Sequence, residues 1–162
     1  MPHSSPNSSR CPTVGVKVKF LHSVWREHAL AYATECSAGL DLRACIDEPE
    51  LIILAGGRAA VPAGLAIEIE QPGLAGFVFS RSGLGARDGL TVAQGVGVID
   101  PDYRGEVTVW LLNTSGEERR IARGERMAQL LFLPYFAARL SIVDELTSTR
   151  RGSGGFGHTG TL

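Results

Sequence analysis

The sequence predicts an all-β fold, a sandwich or barrel of many short strands, on three observations. Val14-Gly15-Val16-Lys17-Val18-Lys19-Phe20 and Leu65-Ala66-Ile67-Glu68-Ile69-Glu70 alternate with period two, the beat of a half-buried strand. Further short apolar runs at 51–54, 77–79, 107–112 and 130–135 are separated at close intervals by Gly, Pro or Asp. Twenty glycines in 162 residues exceed the usual share of about 7% and suit a chain full of tight turns. The length fits one domain with a real core, and no second domain is needed.

Taken in order, residues 1–11 are rich in Ser and Pro and lack apolar periodicity, so residues 1–12 read as an extension outside the fold. A β domain spans 13–146. Its one helical piece is short and begins near Ser82, where Arg81-Ser82-Gly83-Leu84-Gly85 leaves a strand. Ser82 is the expected N-cap. Backbone N–H groups there, with close approach allowed by Gly83 and a charge from Arg81, make an anion site; an ordinary capped turn beside a surface arginine is the competing reading. Gly95-Val96-Gly97-Val98-Ile99-Asp100-Pro101-Asp102-Tyr103-Arg104-Gly105 reads as a tight β-hairpin. Pro101 disfavours the helical region for Asp100, and Asp-Pro followed by Gly105 fits a type I-based turn flanked by Asp100 and Tyr103.

Asp41 alternates with two leucines in Ala38-Gly39-Leu40-Asp41-Leu42-Arg43-Ala44. It suits either a hydrated metal or a structural salt bridge to an arginine. Arg123-Gly124-Glu125-Arg126-Met127-Ala128-Gln129 reads as a turn into a strand, with the Gln129 amide in need of a water or ligand. From Thr147 the composition shifts to Ser, Thr, Arg and Gly, so 147–162 is a tail that either stays disordered or orders over a ligand. Gly152 to Gly157 matches G-x-G-x-x-G, yet no helix follows and no βαβ unit precedes it, which excludes a dinucleotide fold.

A formal net charge of -1 provides no broad basic field for nucleic acid or an anionic membrane, so phosphate contact must be local and the ligand small. Lysine occurs only at Lys17 and Lys19, which removes a Walker-type loop and leaves phosphate recognition to arginine. No apolar stretch approaches a membrane span and the start lacks a signal peptide's apolar core, so a soluble, cytoplasmic protein is expected. Cys11, Cys36 and Cys45 lack C-x-x-C spacing and read as reduced thiols without a shared role. Trp25 and Trp110 read as core or interface residues.

Five segments in this order resemble the homotrimeric deoxyuridine triphosphatase (dUTPase) family: Ala38-Gly39-Leu40-Asp41, Arg81-Ser82-Gly83-Leu84-Gly85, Gly97-Val98-Ile99-Asp100 with Tyr103-Arg104-Gly105, Arg123-Gly124-Glu125-Arg126-Met127-Ala128-Gln129, and Arg151-Gly152-Ser153-Gly154-Gly155-Phe156-Gly157. The resemblance runs from about Val14 to the tail. It implies a jelly-roll-like β-clip fold, assembled as a C3 homotrimer whose active sites are shared and whose C-terminal lid crosses to a neighbour. It also implies hydrolysis of dUTP to dUMP and pyrophosphate. This limits uracil incorporation into DNA and supplies dUMP for thymidylate synthesis. By the resemblance, Asp100 is the base that activates a water for attack on the α-phosphorus, and Gln129 helps hold that water. Uracil is read by backbone from Gln94 and from Val98 and Ile99 to Asp100, with the returning strand near Thr108. Tyr103 packs under the deoxyribose. Ser82 and Gly83 meet the phosphates, supported by Arg81 and Arg126. Arg151 clamps the γ-phosphate, while Phe156 stacks on uracil with Gly157 beside it. Mg²⁺ is held chiefly by phosphates and water, with Asp41 reaching it through water only. Gln94 departs from the asparagine often seen in bacterial members. His158 reads as a mobile, exposed histidine without a catalytic role.

Two other readings compete with this one. A dCTP deaminase shares this fold but carries a catalytic glutamate where, aligned on Asn113, this chain has Trp110, which cannot shuttle protons. A scaffold that has lost catalysis and binds a regulatory protein would leave gaps at Asp100, Tyr103 or the tail, and none is seen.

Overall fold

The computed structural model describes residues 12–155. Eleven strands carry the described fold: β1 (Val16–Phe20), β2 (Leu40–Arg43), β3 (Glu50–Ile53), β4 (Arg58–Pro62), β5 (Leu65–Ile69), β6 (Leu74–Ser80), β7 (Leu90–Val92), β8 (Gly97–Ile99), β9 (Thr108–Asn113), β10 (Arg119–Ala122) and β11 (Arg126–Pro134). They form four antiparallel groups, ordered β1-β5, β10-β3, β2-β11-β6-β8 and β4-β9-β7. The all-β expectation and its alternating strands are thus observed, and no helix among the described residues is long and apolar enough to cross a membrane.

β11 organises the site. It pairs with β2 on one side and β6 on the other, so Asp41, Gln129 and Phe79 lie abreast on one face. Leu131, Phe77 and Val98 follow one step along that same face. The opposite face, carrying Leu42, Val78, Ala128 and Leu130, is buried in the core with Leu65, Leu90, Leu111, Ile121 and Met127. Period-two alternation makes this division possible: β2, β6 and β11 send one set of side chains into the core and the other to a half-buried face.

Asn113 is the one fully buried polar residue among those described. Its Nδ2 donates to the carbonyls of Ile53 (2.9 Å) and Glu117 (2.7 Å), and its Oδ1 accepts from the backbone N–H and hydroxyl of Ser115. One side chain therefore ties β9 to β3 and to the turn before β10. Asn113→Ala removes these four hydrogen bonds from a fully buried position and is expected to cost about 2–3 kcal/mol, read as a lowered urea midpoint.

Three local expectations change. First, the segment 95–105 is not a two-stranded ribbon. β8 pairs with β6 and β9 pairs with β4 and β7, so the two limbs join different sheets. Packing explains this: Gly97 lies opposite Val78 and Gly76 opposite Ile99, and a Cβ on either glycine would stand 3.2 Å from the facing Cβ. Each strand offers a glycine to the other's β-branched residue, which draws β8 onto β6. The tip is a turn as expected, with the Tyr103 N–H donating to the Asp100 carbonyl at 3.1 Å.

Second, the helical piece after Ser82 is a five-residue π-helical turn, Gly83–Arg87. Ser82 stands before it with helical backbone angles (φ -55°, ψ -42°) and makes no capping hydrogen bond with its side chain. An N-cap needs extended backbone to turn its oxygen back onto the helix. Another short helix, α1 (Val24–Glu27), buries Val24 and Trp25 and is too short for periodicity to reveal. The Trp25 indole donates to the Ala63 carbonyl (2.9 Å), whereas Trp110 is half exposed.

Third, β1 is present but its apolar residues are not well covered: Val18 and Phe20 are 37% and 50% exposed. The last strand ends at Pro134, and the described residues beyond it carry no strand. Phe136, Leu140, Ile142 and Leu146 there are 87–102% exposed. The compositional break at Thr147 falls inside this arm rather than at its start.

Candidate active site

The end of the β2-β11-β6 face opens into a cleft of about 960 Å³ lined by Gly39, Asp41, Ser80, Arg81, Ser82, Gly83, Arg87, Arg126 and Gln129, among others. Residues distant in sequence meet here through strand register. Asp41 and Gln129 are direct cross-strand partners, Arg81 follows the last residue of β6, and Arg126 opens β11 at a bulge.

Asp41 joins the two arginines. Arg81 Nε donates to Asp41 Oδ1 at 2.9 Å and Arg126 Nη1 to Asp41 Oδ2 at 3.0 Å, while Arg81 Nη1 also donates to the Arg126 carbonyl at 3.2 Å. Of the two readings of Asp41 left open by the sequence, the ion pair is observed. Two guanidiniums on one carboxylate leave a net positive charge, and both are held in fixed orientation for an anion. Gln129 Nε2 donates to the Ser80 carbonyl (3.1 Å), which leaves its oxygen beside Gly39, where a Cβ would come within 3.0 Å of it. Glycine at 39 keeps that space open.

The loop residues lie elsewhere. Val98 and Asp100 line a second hollow of about 480 Å³ with Ala75, Phe77, Pro101, Asp102 and Tyr135. Ile99 turns its half-buried side chain onto Gly76. Gln94 lies with Arg58, Ala93 and Trp110 around a third hollow, its Nε2 close to Gly97. Thr108 is exposed at the start of β9. The Tyr103 hydroxyl donates to the Glu106 carbonyl (3.0 Å), and its ring lies so close over Gly105 that any Cβ there would collide with it. Arg151 is exposed and donates to the Gly154 carbonyl (2.9 Å). Phe156, Gly157 and His158 lie outside the described residues.

The structure therefore brings together Asp41, Arg81, Ser82, Gly83, Arg126 and Gln129 in the cleft, which Gly95 also lines, while Val98, one step along the same sheet face, lines a second hollow with Asp100, and Gln94 lines a third. Sequence reasoning missed Arg87, which has no motif of its own beyond its place in a glycine-rich turn. It also missed Glu106, whose carboxylate accepts the Gly64 N–H (3.0 Å) and anchors the returning limb of the loop. Burial, aided by the Glu106 carboxylate, pushes the Cys45 thiol up to about 11, so it is no nucleophile near neutral pH. Cys36 and Cys45 are both free thiols.

Among the described residues no three His, Cys, Asp or Glu side chains converge to hold a metal ion. The acid in the cleft already bears two guanidiniums. This donor set fits an ion whose inner ligands are phosphate oxygens and water, with Asp41 in an outer position.

A dUTPase family model matches residues 26–160. A deoxyuridine 5'-triphosphate nucleotidohydrolase of Psychromonas ingrahamii is 51% identical over 129 residues, covering 80% of this chain and 85% of the relative. Its counterpart in Desulfitobacterium hafniense is 44% identical over 148 residues, covering 91% and 97%. Among solved structures, the Staphylococcus bacteriophage 80alpha dUTPase with dUPNHPP superposes with a TM-score of 0.79 at 24% identity, over 91% of this chain and 99% of that one, which supports the same fold. With a family model spanning most of the chain and relatives this similar over nearly their whole length, the chain belongs to the dUTPase family.

Proposed function

We propose that this chain hydrolyses dUTP to dUMP and pyrophosphate in a site that several copies build together, with Asp100 as the base. Hydrolysis of dUTP to dUMP comes with the family; the residue roles are those that the motif resemblance implies, and the geometry of the cleft supports those of Arg81, Arg126 and Gln129. The observation that carries the reading is the distribution of two half-sites over different hollows of one chain: the arginine cleft, whose one acidic side chain, Asp41, already bears two guanidiniums, and the hollow beside Asp100, whose described lining holds no cation. Each half is completed by its complement on a neighbouring copy. A homotrimer accommodates this, and it also offers cover for Val18, Phe20 and the exposed arm 136–146.

In the assembled site Arg81 and Arg126, oriented by Asp41, bind the phosphates with Ser82 and Gly83. Uracil lies against the backbone of Gln94, Val98, Ile99 and Thr108, where a narrow loop rejects cytosine and crowds a 5-methyl group. The Tyr103 ring, fixed by its bond to Glu106 and its contact with Gly105, meets the face of the deoxyribose and leaves no room for a 2′-hydroxyl. Asp100 takes a proton from a water positioned by the Gln129 oxygen. The water oxygen bonds to the α-phosphorus as the bond to the α,β-bridging oxygen breaks, and pyrophosphate leaves with that electron pair. Asp41 would stand in the outer sphere of a Mg²⁺ ion held chiefly by phosphates and water, which would neutralise charge on the leaving pyrophosphate. Arg151, Phe156 and Gly157 close over the bound nucleotide and exclude bulk water. The setting is the cytoplasm, with neither nucleic acid nor membrane as a partner.

The test is pyrophosphate release from dUTP beside dCTP, dTTP and UTP, with the mass of the active species measured in solution. dUTP is expected to be turned over at least about a hundredfold faster than the other three, on the scale by which a hydrogen-bonding pocket discriminates, by a species of three chains. Comparable turnover of all four, or a fully active monomer, overturns the reading.

A further inference from the structure

One cation of the cleft is not used by the proposed mechanism. Arg87 lines the same cleft as Arg81 and Arg126, and its Nη2 lies 3.9 Å from where a Cβ would stand on Gly83. Among the described residues, and apart from the backbone of the turn itself and Gly83's chain neighbours, it is the only group within 4 Å of that position. The guanidinium therefore hangs beside the backbone assigned above to phosphate. Unlike Arg81 and Arg126 it does not touch Asp41. It donates instead to Asp88, Nε to Oδ1 and Nη2 to Oδ2, both at 2.9 Å.

This bond is easily exchanged. The Arg87 side chain is 80% exposed, and an ion pair in water between adjacent residues adds little stability. Asp88 would not be left bare, because Arg119 Nε donates to the Asp88 carbonyl and keeps a positive charge beside it. The charge inventory supplies the reason to exchange: Arg81 and Arg126 share one carboxylate, so the cleft holds a single net positive charge against a triphosphate that carries several negative ones. A third guanidinium reaching the phosphates gains charge-assisted hydrogen bonds that Asp88 in solvent cannot match.

We propose that Arg87 is a further triphosphate ligand, held by Asp88 in the free protein and transferred to the phosphates when substrate binds. The five-residue π-helical turn Gly83–Arg87 suits this, since it puts phosphate-facing backbone at one end and the guanidinium at the other, four positions on and on the same side. Asp88 acts as a competitor of the substrate for Arg87. Removing it favours binding.

The inference rests on the dUTP reading, and the experiment separates the two. With the full-length protein, Arg87→Gln is expected to raise KM for dUTP about tenfold, the scale of one exposed charge-assisted hydrogen bond, with a smaller loss in kcat. The inhibition constant of inorganic triphosphate should rise by the same factor, while that of deoxyuridine, which has no phosphate, stays where it was. Asp88→Asn should lower KM for dUTP about twofold to threefold by freeing the guanidinium, and Arg87→Lys should recover part of the loss. An unchanged KM in Arg87→Gln, an equal weakening of deoxyuridine, or a raised KM in Asp88→Asn overturns the role of Arg87 while wild-type dUTP turnover stands. A wild type without dUTP turnover overturns the proposed function and this role with it. If Arg87→Gln does not fold, Arg87→Lys and Asp88→Asn decide by the same readouts.

Discussion

Asp100→Asn is expected to lower kcat for dUTP about a thousandfold, within the range that a positioned general base supplies, while a non-hydrolysable dUTP analogue still binds with near wild-type affinity. The expectation follows from what the side chain does and does not do. Asparagine has the shape of aspartate but cannot accept the proton of the attacking water. The Asp100 backbone carbonyl, which closes the tip turn by accepting the Tyr103 N–H at 3.1 Å, is unaffected. The carboxylate takes part in no hydrogen bond among the described residues, so its loss does not loosen the loop. Rapid-quench turnover and calorimetric binding together check this. A kcat within tenfold of wild type would remove Asp100 as the base, and lost binding with retained kcat would make it a substrate ligand instead.

Deleting the chain after Arg150 is expected to reduce kcat/KM for dUTP by about a hundredfold or more, the scale on which imperfect closure and positioning act, with the melting transition of the β-core unchanged. Among the described residues the buried core lies before residue 131 and Arg151 bonds only to Gly154, so no described core contact involves the deleted part. A mixing experiment extends the test. Truncated chains, intact at Asp100, and Asp100→Asn chains, intact in the tail, are unfolded together and refolded. Recovery of activity beyond either parent shows that a tail serves a site whose loop belongs to another chain. Absence of recovery, with mixed oligomers demonstrated by mass, would assign tail and loop to the same chain.

Much of the architecture was legible because alternation is local. Leu65 to Ile69 and Leu130 onward announce their strands through neighbours two positions away, and a turn at Asp100-Pro101 is written into the proline. The pairing of β8 with β6 was not legible. It depends on Gly76 meeting Ile99 and Gly97 meeting Val78, contacts between segments whose proximity no local pattern states. Ser82 shows a related limit: its residue type suits a cap, while the π-helical turn after it holds the backbone in another region. For the site, residue type and spacing point to Asp41, Arg81 and Gln129, and the motif resemblance adds Arg126. That one carboxylate would hold both guanidiniums required the register of β2 on β11. Arg87 carried no signal, since what distinguishes it is its distance from Gly83 and its bond to Asp88.

The placing of the cationic cleft and the Asp100 loop around separate hollows also has a genetic reading. If each site draws on more than one chain, a defect is not confined to the copy that carries it. An allele damaged at Asp100 and another damaged at Arg81 would complement each other in one cell, whereas either, overproduced beside the wild type, would poison its partners. Assembly would likewise act as a licence: a newly made chain, holding only halves, has no activity to misdirect until it finds its fellows.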